Sequence, residues 1–372
     1  MDPQTVFCHN KDCPASGQVG KGNIGVFSQK DHRYICHECG KTSSETKGTA
    51  FYRLRKGAEL VTLVVTLLAY GCPVQAIVMA FGLDERTVLS WQERAGVHCE
   101  KVHAHFVEQP RDLIQVQADE IRVKIQGAIV WMAMAIQVST RLWLGGEIST
   151  ARDTALITAL MQKVRACALC RPLLFCMDGC QAYIHAIRTV FREAIRTGKA
   201  GRPQMRPWDG ILMAQVVKQY VGKRVVDIQR RVVQGTAAQV QALVQHSQGS
   251  GMINTAYIER LNATFRARIF ALVRRGRALV RQIPTLHTSM YLVGTVYNFC
   301  TDHHSLRVAI SLPNGRRRWV SRTPAIAAGL TDHRWTVAEL LSFQVPLPRW
   351  TPPKRPGRLS MATKSLIEQW CT

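Results

Sequence analysis

Residues 172–179 read Pro-Leu-Leu-Phe-Cys-Met-Asp-Gly, and this stretch decides the fold class. Five apolar residues in a row make a strand buried on both faces. Asp178 stands at its C-terminal end, and Gly179 turns the chain toward a helical segment over about 181–197. A buried strand that leads through an acid into a helix is a unit of an α/β sheet. In such sheets ligand-binding carboxylates lie at the carboxyl ends of strands. The other role open to Asp178 is to cap the helix that follows.

Working outward, Ile114-Gln-Val-Gln-Ala-Asp-Glu-Ile-Arg-Val-Lys124 alternates as a strand. Apolar residues stand at 114, 116 and 118, then at 121, 123 and 125, so the parity changes at Asp119–Glu120. The phase change predicts a bulge that re-aims an acid. Pattern alone leaves Asp119 and Glu120 as alternatives. Strand-like runs at 128–137 and 141–148 continue as a meander. A loop at 199–210 precedes two more such runs, at 211–220 and 225–233. The stretch Asn254-Thr-Ala-Tyr-Ile-Glu-Arg-Leu-Asn-Ala-Thr-Phe-Arg-Ala-Arg268 reads as a helix with Ile258, Leu261 and Phe265 buried. Glu259, Asn262 and Arg266 share another of its faces, so one helix could offer a metal ligand, a polar contact to DNA and a phosphate-binding cation together.

Carboxylates on two strands and a helix, far apart in sequence, suit phosphodiester chemistry. Two Mg²⁺ or Mn²⁺ ions roughly 4 Å apart activate a water or 3′-hydroxyl and hold charge on the leaving oxygen. Such ions prefer oxygen ligands.

The N-terminal fifty residues carry a different signal. Cys8-x4-Cys13 is followed, after 22 residues, by Cys36-x2-Cys39. Two close pairs at this separation predict a tetrahedral, structural Zn²⁺ site, with the metal supplying folding free energy to a segment too small for its own core. Residues 59–69 then read as a helix stopped by Gly71. Pro73 opens a second helix with Ile77 and Phe81 on its apolar face, and Asp84 caps a third. Arg86, Gln92 and Arg94 are expected to face solvent on that third helix, the pattern of a helix-turn-helix that reads DNA.

Charge points the same way. Lys and Arg number 49 against 25 Asp and Glu, a net +24, which favours double-stranded DNA as partner. Arg266, Arg268, Arg274, Arg275 and Arg277 form an acid-free track suited to a DNA backbone. The longest apolar run, Leu60 to Tyr70, is too short to span a bilayer, and Met-Asp-Pro-Gln-Thr at the start lacks the features of a secretory signal. A membrane partner is therefore not expected. Cys167, Cys170, Cys176 and Cys180 lie close to Asp178, but their spacing is a weak metal signal.

Zinc pairs, helix-turn-helix, "ADE", "MDG..Y" and "NTAYIERLNATFRAR", in this order, resemble the DDE transposases of prokaryotic insertion sequences, and most nearly those related to insertion sequence one. The downstream "YNFCTDHHSLR" and "RTPAIAAGLTDHRWTVAELL" fit the same resemblance, which covers about residues 5–345. It implies an RNase H-like mixed α/β sheet flanked by helices, with Asp119, Asp178 and Glu259 as the catalytic, Mg²⁺-binding triad. It further implies cleavage at element ends, strand transfer by the freed 3′-hydroxyl, a synaptic complex of at least two copies, and a place in the prokaryotic cytoplasm at the nucleoid. The expected division is a zinc ribbon at 1–50, a helix-turn-helix at 51–105, a catalytic domain at 106–310 with an insertion at about 199–250, and a basic tail at 311–372. The 80 residues between Asp178 and Glu259 exceed the spacing of compact relatives, which makes Glu193, placed on the helix after Asp178, a rival third acid. A non-catalytic DNA-binding regulator and a resolvase-like nuclease are the competing readings.

Overall fold

The computed structural model describes residues 2–195, 202–222, 224–249, 251–272, 282–311, 315–352 and 357–371. Strands β1 (Ile24–Ser28), β2 (Arg33–Cys36) and β3 (Thr42–Ser44) come first. Helices α1 (Ala58–Ala69), α2 (Val74–Phe81) and α3 (Glu85–Phe106) follow. Next come β4 (Gln115–Ile125), β5 (Ala128–Gln137), β6 (Trp143–Ser149), α4 (Thr154–Ala166), β7 (Leu173–Asp178) and α5 (Gln181–Val190). The hairpin β8 (Arg192–Ile195) and β9 (Gln204–Pro207) precedes the long hairpin β10 (Ile211–Val221) and β11 (Arg224–Gln234). The chain continues with α6 (Ala237–Gln248), α7 (Ala256–Arg268) and α8 (Ile283–Cys300), then β12 (Val308–Ser311) and β13 (Arg317–Val320). It closes with α9 (Pro324–Ala327), α10 (Val337–Ser342) and α11 (Met361–Trp370).

The chain divides into two compact units, Met1–Val61 with Leu341–Thr372, and Thr62–Leu340. In the first, β1, β2 and β3 form an antiparallel sheet beside a small core of Cys8, Cys13, Ala15, Cys36 and Trp370. The last helix of the stretch expected as a tail brings Trp370 to this core, and Gln18 Nε2 donates to the Trp370 carbonyl at 3.0 Å. A segment with so few apolar residues gains most by recruiting an indole, which removes a large apolar area from water.

The second unit is built on a six-stranded mixed sheet in the order β11-β10-β7-β4-β5-β6. β4, β5 and β6 are antiparallel, β7 lies parallel to β4, and β10 lies parallel to β7. Helices α6 and α7 pack on β4, and α4 packs on β5 and β6. The bulge expected at Asp119–Glu120 is absent: β4 pairs with β5 without a register shift from Val116 to Ile125. The parity of apolar residues changes for another reason. Gln115 and Gln117 are buried polar residues on the same face as Ile121, Val123 and Ile125, and they bind helices rather than packing apolar atoms. Helix α5 ends at Val190, short of the expected 197, and the chain goes on as the β8–β9 hairpin.

The boundary between the two units falls within α1, between Val61 and Thr62. Residues 62 onward belong to the sheet's unit, and α3 runs along α8. Gly96 allows that approach, because a Cβ there would overlap Thr288. Gly294 of α8 meets the buried Trp143 ring in the same way. Gly294→Ala is expected to destabilise this unit by about 1–3 kcal/mol through overpacking. A Cβ that overlaps several atoms of the ring puts the cost in the upper part of that range, above the roughly 1 kcal/mol that helix propensity returns. The urea midpoint should fall; an unchanged or higher midpoint would contradict the packing described. Among the described residues, no helix is long and apolar enough to cross a membrane.

Candidate functional site

Two clusters of potential metal ligands occur among the described residues. The first is Cys8, Cys13, Cys36 and Cys39, whose sulfurs all lie within 4.8 Å of one another. β2 delivers Cys36, and Gly40, at φ 66°, closes the turn that carries Cys39. The Cys8–Cys39 and Cys13–Cys36 sulfurs are 3.7 and 3.9 Å apart. A tetrahedron with metal–sulfur bonds of about 2.3 Å has edges of about 3.8 Å, so the four thiols fit a structural metal. Asn10 N donates to Cys8 Sγ and Asn23 Nδ2 to Cys36 Sγ, each at 3.4 Å, bonds that favour thiolates. Burial pushes the Cys8 thiol up to about 12. At Cys39 the burial penalty is outweighed by hydrogen bonds from the Lys41 backbone and Asn10, and the thiol falls to about 7.

The second cluster lies in the sheet's unit. β4 and β7 run parallel with Gln117 opposite Cys176, just before Asp119 in the middle of β4 and Asp178 at the carboxyl end of β7. One oxygen from each of Asp119, Glu120 and Asp178 lies within 4.8 Å of the others. Asp119 and Glu120 take different partners. Asn262 Nδ2 of α7 donates to Asp119 Oδ2 at 2.8 Å, whereas Glu120 is buried and pairs with Arg152 at 2.9 Å. Arg152 also reaches Asp178 Oδ2 at 3.3 Å. Burial, reinforced by Glu120, Asp178 and Glu259, raises the Asp119 carboxyl to about 6. A half-buried carboxylate among like charges is a site that a divalent cation would relieve.

Glu259 lines the same cleft of about 810 Å³ as Asp119 and Asp178, together with Lys218, Asn262 and Arg266. It is not among the tightly grouped acids. Its Oε1 accepts from Lys218 Nζ at 2.6 Å and Thr255 Oγ1 at 2.8 Å. Burial pushes the Glu259 carboxyl up, but those two bonds prevail and hold it below its ordinary value. Lys218 extends from β10, two residues beyond the Val216–Asp178 pair. The rival acid Glu193 sits exposed on β8 opposite Arg206, on a strand rather than the expected helix.

Three participants escaped the sequence reading: Arg152, Lys218 and Gln117. Gln117 fixes the start of α7, accepting at Oε1 from the backbone N–H groups of Tyr257 and Ile258 at 3.0 and 3.1 Å. Its Nε2 donates to the Asn254 carbonyl at 2.7 Å. A residue two places from Asp119 thereby sets the helix that carries Glu259. The available signal was a pair of strand glutamines with no evident partner, since buried amides require them.

The expected DNA contacts divide. Arg86 is exposed at the start of α3, and Arg266 lines the cleft. Gln92 does not face solvent as expected; it is half-buried and donates to Ser289 Oγ of α8 at 3.1 Å. Arg94 is also only partly exposed. Asn262 is buried on Asp119, so it positions an acid instead of facing a ligand's backbone. Arg268 stacks on Tyr70 at 4.4 Å and bonds Thr301 at 3.2 Å, which ties it into packing. Arg274, Arg275 and Arg277 lie outside the described residues. Cys167 and Cys176 are core residues whose thiols burial raises to about 12, and they join no metal cluster among the described residues.

Comparison of the chain with protein-family models finds no match, and comparison with curated proteins finds none either.

Proposed function

We propose that this chain is a DNA transposase of the DDE type, acting by metal-dependent strand cleavage followed by strand transfer. The observation that carries this reading is the convergence of Asp119, Asp178 and Glu259 on one open cleft from β4, β7 and α7. The sheet supports the RNase H-like part of it: three antiparallel strands, then two parallel to the first, with acids on the first and fourth.

Asp119, Asp178 and Glu259 would hold Mg²⁺ or Mn²⁺, with Glu120 adjoining. Bound there, a pair of such ions supplies an activated water or 3′-hydroxyl and charge stabilisation on the leaving oxygen. The chain's own residues prepare the site. Asn262 fixes one oxygen of Asp119, and Arg152 orients Asp178 and Glu120. Lys218, ion-paired to Glu259, and Arg266 both line the cleft and add positive charge to it, which would favour a phosphodiester there. The net charge of +24 draws a polyanion to the protein. In the same reading α2 and α3 are a helix-turn-helix, the four cysteines hold Zn²⁺ in a ribbon, and two copies pair the element ends.

Strand transfer tests the reading. The full chain is incubated with Mg²⁺, a duplex carrying the flanking element end and a target plasmid. Covalently joined product is expected. Cleaved ends without joining would favour a nuclease of resolvase type, and binding with neither product would favour a regulator.

A further inference from the structure

A smaller cavity of about 230 Å³ lies along α7, lined by none of the residues that line the acidic cleft. Two guanidinium groups, Arg141 and Arg260, line it together with Thr264, His303 and Ser305. No carboxylate does so among the described residues. The two acids adjacent in sequence to lining residues are engaged elsewhere, Asp302 by Arg334 at 3.0 Å and Glu259 by Lys218 at 2.6 Å.

Arg141 is held there by unusual means. Its backbone sits in the left-handed region at φ 60°, which a non-glycine residue adopts at a cost, and the Tyr297 hydroxyl donates to its carbonyl at 3.1 Å. Its guanidinium stacks on Tyr257 at 3.9 Å. Its Nη1 is buried and has no hydrogen-bond partner, although the Tyr257 side chain engages the guanidinium by a hydrogen bond. A buried charged donor without an acceptor is costly, so a feature of this kind asks for a ligand. Ser305 Oγ and His303 Nδ1 are 2.9 Å apart. Burial first, then the charges of Arg141 and Arg260, lower His303 to about 4, which leaves its ring neutral at pH 7.

We infer that this cavity is a phosphate-binding site, with two arginine forks and the His303 ring arranged around one tetrahedral anion. Arginine forks match the paired oxygens of a phosphate, and two of them together suit an anion with more acceptors than a carboxylate offers. The occupant is either a backbone phosphate of bound DNA or free phosphate. Only the first of these rests on the function proposed above.

The test uses the full chain, inorganic phosphate and a short duplex. His303 is followed by NMR of labelled imidazoles, assigned with His303→Asn. At constant ionic strength, phosphate is expected to raise the proton affinity of His303 at least about tenfold, because a nearby anion favours the charged ring. Arg141→Gln and Arg260→Gln should each remove that response. Arg260 is exposed on α7, so its variant keeps the test open should Arg141→Gln fail to fold. If a DNA phosphate is the occupant, the slope of log affinity against log salt becomes shallower by about one in Arg260→Gln. A His303 response with an unchanged slope assigns the site to free phosphate. No His303 response to either probe overturns the site. Absence of cleavage or joining would leave this titration readable, so failure of the site and failure of the proposed function are distinct results.

Discussion

Asp119→Asn and Asp178→Asn are each expected to lower Mg²⁺-dependent DNA cleavage at least about a thousandfold, or about 4 kcal/mol in the barrier, while DNA binding persists. Each replacement keeps the size of the side chain and removes one anionic ligand from a group whose oxygens lie within 4.8 Å. Folding should not suffer. Asp119 carries a carboxyl raised by burial and by three neighbouring acids, so neutralising it relieves repulsion. In the proposed function DNA affinity comes from basic residues outside the acid group, so it should stay near that of the wild type. Glu120→Gln behaves differently. Glu120 is buried on Arg152, and loss of its charge leaves that guanidinium with a weaker partner, so stability falls along with rate. Normal cleavage by both Asp variants, measured in single turnover with saturating protein, would remove the acid cluster from the mechanism.

Cys36→Ser is expected to release the structural metal and unfold the N-terminal unit while the sheet's unit stays folded. The scale favours loss of the whole unit. Metal bound by four thiolates contributes about 10–16 kcal/mol of folding free energy in small domains. The apolar core here amounts to a few side chains around Trp370. Cys36 is also the sulfur that pairs with Cys13 and accepts from Asn23. Hydrogen exchange should show protection lost across β1, β2 and α11 and kept in α8, with metal content falling to near zero. Retained metal with retained protection would remove the site.

The α/β class was legible because its signals are local. The run before Asp178 is short and flanked by Pro172 and Gly179, which reads as a buried strand, and the spacing of 254–268 reads as a helix with Glu259 and Asn262 on one side. The cysteine pairs were legible because metal geometry restricts their spacing. What stayed hidden depends on long-range partners. Gln115 and Gln117 mimic a bulge in the apolar pattern because their amides find helices more than a hundred residues away. Gln92 reads as a surface residue until α8 is laid beside α3. Lys218 and Arg152 are unremarkable in sequence, and each gains its role from an acid delivered by another element. Trp370 looks like part of a tail because the core it completes lies at the opposite end of the chain.

The most direct test is single-turnover cleavage of a duplex carrying the flanking element ends, with Mg²⁺, by wild type beside Glu259→Gln. Glu259 is the informative acid because it reaches the cleft from α7 and rests on Lys218 instead of grouping tightly with Asp119 and Asp178. The expected result is cleavage by the wild type, its loss in the variant, and equal DNA binding by both. Cleavage by the variant at the wild-type rate, or binding by both with cleavage by neither, would contradict a three-carboxylate catalytic centre.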